Sequence, residues 1–142
     1  MVSANLVAFR VQDDAVNHQG GIALQRCGIP RATLQGGMDV TNLNEVPAFI
    51  TKDGSEIREL LAYRNSAVRK QSLAEARLPA GGSTQEHYHP LAEEIYFITA
   101  GTGRVRIEGE LREVQAGDAI AIPPGQKHKI WNRGPETLRF LC

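Results

Sequence analysis

From residue 42 onward, turn-forming residues cut this chain into short apolar runs, and that punctuation limits what it can fold into. Lys52-Asp53-Gly54-Ser55, Pro79-Ala80-Gly81-Gly82, Gly101-Thr102-Gly103, Gly109, Ala116-Gly117-Asp118, Pro123-Pro124-Gly125 and Arg133-Gly134-Pro135-Glu136 are all turn signals. The apolar runs between them show no long amphipathic helical pattern and suit short strands. Strands are expected at Ser72–Leu78, Glu94–Thr99, Arg104–Glu108, Leu111–Val114, Ala119–Ile122, His128–Asn132 and Thr137–Leu141. Glu56–Leu61 has helix-like spacing at Ile57, Leu60 and Leu61, but its place between turns favours a strand. Short strands with turns every eight to twelve residues indicate an antiparallel all-β sandwich or barrel.

The chain's 142 residues suit one domain. Sixteen basic residues balance sixteen acidic ones, so there is no basic footprint for nucleic acid or an anionic membrane. No apolar run approaches the roughly 20 residues of a membrane-spanning helix. The N-terminus lacks the basic and apolar regions of a signal peptide. Cys27 and Cys142 form no pair motif and are expected as free thiols in the cytoplasm. Residues 1–37 are glycine-punctuated without sustained periodicity and are expected as a loosely ordered arm. Residues 38–142 are expected to form the compact domain.

Three of the four histidines fall in two polar segments that flank strands. In an extended segment His87 and His89 point to one side, and Tyr88 to the other. The next strand opens with Glu93-Glu94, and only one of these two can face inward. If Glu94 does, Tyr96 and Ile98 share its face. The second segment turns at Pro123-Pro124-Gly125 and delivers His128 from another strand. Three imidazoles and a carboxylate suit one divalent first-row metal (iron, manganese, nickel, cobalt, copper or zinc). His18, alone in the arm, is expected at the surface.

These two segments resemble the paired motifs of the cupin superfamily. Gly81, five residues, His87-Tyr88-His89, four residues, Glu94, six residues and Gly101 match the first motif. Gly117, five residues, Pro123-Pro124-Gly125, two residues, His128, three residues and Asn132 match the second. The inter-motif gap of 15 residues is short, as in small microbial relatives. The resemblance covers residues 42–142. It implies a double-stranded β-helix, or jelly-roll barrel, with metal ligands at His87, His89, Glu94 and His128, and a homodimer.

The chemistry most often implied by that resemblance is oxidative and dioxygenase-like, on a small-molecule substrate. The alternatives are a non-redox isomerase, cyclase or lyase that uses the metal as a Lewis acid, or a binding module without turnover. Tyr96 and Glu93 are the candidates for acid–base work, and Tyr96 and Gln126 for the pocket wall. Trp131 is expected between the sheets or at a subunit contact. Arg104, Arg106, Lys127 and Lys129 are expected on solvated faces. Gly81, Gly101, Gly117 and Gly125 are read as backbone devices.

Overall fold

A computed structural model describes residues 37–51 and 54–142. The arm expected at residues 1–37 lies outside this range except for Gly37, as do His18, Cys27 and the Lys52-Asp53 half of the first turn.

Every regular element among the described residues is a strand. They are β1 (Phe49–Ile50), β2 (Glu56–Leu61), β3 (Leu73–Leu78), β4 (Glu94–Ala100), β5 (Thr102–Ile107), β6 (Glu110–Gln115), β7 (Ala119–Ile122), β8 (His128–Asn132) and β9 (Leu138–Leu141). Among these residues no helix is long and apolar enough to cross a membrane. All pairings are antiparallel, in a six-stranded sheet ordered β1-β2-β3-β9-β4-β7 and a three-stranded sheet ordered β6-β5-β8. The insertion of β9 between β3 and β4 gives the jelly-roll topology its non-local closure. The extended segment from Gly82 to His87 laces onto the free side of β8 through Asn132 N→Gly82 O, Thr84 N→Ile130 O and the paired bonds of His87 with His128.

Two-residue alternation sorts the side chains. The inner face of the large sheet carries Ile57, Ala74, Ala76, Leu78, Tyr96, Ile98, Ile122, Leu138 and Phe140, which meet Val105, Val114 and Ile130 of the small sheet in one core. Glu94, Tyr96 and Ile98 share that inner face, while Ile95 and Phe97 remain exposed on the outer one. Arg104 and Arg106 lie outward on the small sheet, as expected, in ion pairs with Glu113 and Glu86. Trp131 is outward on the same sheet, with the Arg106 guanidinium and the Lys129 ammonium over its ring at 5.4 and 5.1 Å. It therefore does not pack between the sheets. Its alternate position β8 faces away from the core, where its flat ring offers cations a π surface.

Gly101 shows why the motif glycines are backbone devices. Its φ is +83°, and a Cβ would meet the Leu138 Cα and the Thr137 carbonyl at 3.0 Å. The β4–β5 turn can pass over β9 only without a side chain there.

Candidate metal centre

His87 and His128 stand opposite each other across the segment-to-β8 contact and exchange both backbone bonds, His87 N→His128 O at 3.1 Å and His128 N→His87 O at 2.9 Å. This pairing places two histidines, 41 residues apart in sequence, side by side on one face. His89 follows two residues after His87, and its carbonyl accepts from Gly125 N at 2.7 Å. Gly125 has a φ of +78°, so the Pro-Pro-Gly turn both re-aims the chain toward His128 and ties the second motif to the first. Glu94 comes from the first position of β4, buried beside Ile122.

The structure brings together all four residues expected as ligands. One donor atom from each of His87, His89, Glu94 and His128 lies within 4.8 Å of the other three. His89 Nε2 is 3.0 Å and His128 Nε2 3.1 Å from Glu94 Oε2, and the Nε2 atoms of His87 and His128 are 3.1 Å apart. Donors about 2.1 Å from a shared ion and at right angles stand about 3 Å apart, so these short edges fit one metal.

Hydrogen bonding on the far side of the rings fixes which nitrogens are bare. His87 Nδ1 donates to the Gln85 carbonyl at 2.8 Å, and His128 Nδ1 donates to the Gln126 carbonyl at 3.0 Å. A carbonyl only accepts, so each Nδ1 carries the hydrogen, and in the neutral ring each Nε2 is a lone pair. Two lone pairs and a carboxylate oxygen thus converge on one point. Such an arrangement is repulsive unless a cation, metal or proton, sits among them. Nδ1 of His89 is buried with no hydrogen-bond partner, so no carbonyl sets the tautomer of that ring.

Burial is the largest influence on Glu94 and alone would raise its carboxyl. When His128 and His89 are protonated, their hydrogen bonds and positive charge outweigh it and hold the group below the ordinary carboxylate value. Burial also dominates at His87 and, with repulsion from the neighbouring imidazoles, lowers its pKa despite the Gln85 bond. His87 therefore keeps its lone pair free at neutral pH.

Of the other candidates, Tyr96 is buried with its ring 5.9 Å from that of His128 and 4.7 Å from that of Phe140. Glu93 is exposed, and the half-buried Gln126 serves through its main-chain oxygen. The carbonyls of Gln85 and Gln126 were not singled out from the sequence. Their only signal is a position two residues before each histidine, and any residue type supplies a carbonyl.

The comparisons with known proteins agree with this geometry. A family model described as "Cupin domain" matches residues 74–142. An uncharacterised protein of Methanocaldococcus jannaschii is 47% identical over 102 residues, covering 72% of this chain and 82% of its own. Among solved structures, the polyketide cyclase RemF from Streptomyces resistomycificus superposes with a TM-score of 0.65 at 28% identity, over 74% of this chain and 77% of its own. A predicted oxalate decarboxylase from Thermotoga maritima gives 0.64 at 28% identity, over 72% and 95%. With both motifs, the jelly-roll topology and the four-residue cluster in place, the chain belongs to the cupin superfamily.

Proposed function

We propose that this protein is a metal-dependent enzyme acting on a small organic molecule, with His87, His89, Glu94 and His128 holding one divalent transition metal. The observation that carries the reading is the pair of bare Nε2 atoms, fixed by the Gln85 and Gln126 carbonyls and aimed with Glu94 at one point. A bound metal with open coordination positions supplies Lewis-acid polarisation of a substrate oxygen. The chain's own residues do the rest. Glu94 balances the charge, and the two carbonyls hold the imidazoles in place. Tyr96 packs against His128 and restricts its ring, while the partly buried Ile107, opposite His128, and Ile120, opposite Tyr96, pack against the core. Glu93, exposed beside the ligand Glu94, is the candidate for moving a proton to or from solvent.

Lewis-acid chemistry, meaning cyclisation or lyase reactions at enolisable carbonyl compounds, is favoured over oxidation by the likeness to a polyketide cyclase structure at 28% identity. The donor set suits an oxygen-binding iron as well, which keeps dioxygenase-like oxidation as the second reading. We further propose that the protein works in the cytoplasm, where Cys142 stays reduced, as a homodimer that covers the exposed Ile95 and Phe97.

The test uses metal-loaded protein and a panel of β-dicarbonyl and α-keto acids. Solvent-deuterium incorporation under anaerobic conditions supports the Lewis-acid reading. Oxygen uptake with iron(II) supports the oxidative one. Neither, in protein that holds its metal, leaves a binding module.

A further inference from the structure

The small sheet's inner face changes character along β6. Across β6-β5-β8 the register aligns Val114 with Gly103 and Asn132, Arg112 with Val105 and Ile130, and Glu110 with Ile107 and His128. Arg112 and Glu110 therefore share the face of the core residues Val105 and Val114. Val114 is only 7% exposed, next to the tight Gln115–Asp118 turn that ties β6 to β7. Two and four residues further from that turn, the Arg112 and Glu110 side chains are 75% and 67% exposed. The two sheets thus part along β6, and the uncovered stretch lies level with His128.

The charges on this lip are ordered. Arg112 Nε donates to Glu110 Oε1 at 2.8 Å, and its Nη2 approaches the same oxygen at 2.6 Å. That bond holds the guanidinium at the level of the row Glu110, Ile107, His128. Two strand spacings, about 10 Å, separate the backbones of Glu110 and His128. Ile107, partly buried, lies between them, so the surface from lip to site is apolar in the middle and charged at both ends. A pair this exposed adds little to stability, so stability does not explain two exposed charges on the face that carries Val105, Val114 and Ile130. A guanidinium is a strong and geometrically selective partner for a carboxylate.

We infer that Arg112 is a specificity-determining residue at the mouth of the barrel, and that it takes the far carboxylate of an elongated organic acid whose other end sits at the His87/His89/Glu94/His128 site. The inference rests on the metal-site reading above. In the free protein Glu110 holds the guanidinium in place, and a substrate carboxylate displaces it. The selected class is a dicarboxylate, or a keto acid with a distal carboxylate.

The test is calorimetric titration of the full-length metal-loaded chain with succinate, glutarate and adipate, each against the monocarboxylate of the same length. Metal content is measured on the same samples. The parent is expected to bind its best-fitting dicarboxylate about tenfold more tightly than the matched monocarboxylate. Arg112→Gln should erase that preference at unchanged metal content, and Glu110→Gln should strengthen it. Arg133→Gln, an equal loss of charge at the opposite end of the sheet, should leave it intact. Equal selectivity in the parent and Arg112→Gln, or an equal loss in Arg133→Gln, overturns the role of Arg112 while the metal site stands. A parent that takes up no metal overturns the metal reading and this inference with it.

Discussion

Two glutamates are buried in this barrel, and their surroundings differ in the one respect that separates scaffold from site. Glu75, 1% exposed on the outer face of β3, is flanked by Arg77 and Arg139, whose charges are permanent. Burial opposes its ionisation, but the hydrogen bonds from Arg139 and Arg77 prevail and lower its pKa. Glu94, 9% exposed on the inner face of β4, is flanked by His89 and His128. Imidazoles carry charge only when protonated, and carbonyls already hold the two best-fixed of the three rings with bare nitrogens turned inward. The first carboxylate is neutralised by the fold itself. The second has imidazoles beside it, and these carry no permanent charge.

Substitution of the ligand residues should have the largest effect. Glu94→Gln and His128→Ala are each expected to weaken metal binding by more than about a hundredfold, read by elemental analysis after dialysis. Glu94→Gln should lower the melting temperature of the metal-free protein less than Glu75→Gln does, because its imidazole partners carry no permanent charge. The rise in melting temperature on adding metal should vanish.

Glu75→Gln is expected to behave in the opposite way, lowering stability by about 2 kcal/mol with metal uptake unchanged. This figure lies below the range for fully buried pairs because both arginines are partly solvated. Denaturant titrations of the two variants, with and without metal, test the crossing directly.

Acid should sharpen the contrast. The Glu75 pKa is lower folded than unfolded, so its stabilisation is complete above the unfolded value and disappears as pH falls through the folded one. The stability gap between the parent and Glu75→Gln should hold at neutral pH and close below about pH 4. Metal retention should also fail in acid, because ligand imidazoles must be neutral, and burial and its neighbours move the onset for His87 below the ordinary histidine range. Metal retention that persists to pH 4 would argue against histidine ligation. The smallest effect belongs to Glu93→Gln, which should change metal affinity less than about twofold, since Glu93 is exposed beside the cluster rather than within it.

Much of this was legible in the sequence. Glycine and proline punctuation marked the strands, and Ala119–Ile122 and His128–Asn132 have the bounds expected of them. Two-residue alternation placed Tyr96 and Ile98 beside Glu94 once the motif spacing had selected Glu94 over Glu93. The two motifs named the four residues that now lie together. What stayed hidden depends on partners distant in the chain. Glu75 reads as an ordinary outward residue of β3 until Arg139, 64 positions later, is brought beside it on β9. Trp131 looks like a core residue because size and apolarity do not reveal which face of β8 it occupies. The fixing of the His87 and His128 rings depends on main-chain carbonyls, and no residue type announces these. The parting of the sheets along β6 leaves no local mark either, since Glu110 and Arg112 look like any solvated pair on an edge strand.

Metal content decides whether the barrel's inner carboxylate and its three imidazoles are built around a cation. Elemental analysis of the full-length protein, purified anaerobically beside a His87→Ala/His128→Ala variant, tests it most directly. About one equivalent of a divalent transition metal per chain is expected in the parent and none in the variant. A parent without metal after reconstitution, or a variant that retains as much as the parent, would contradict it.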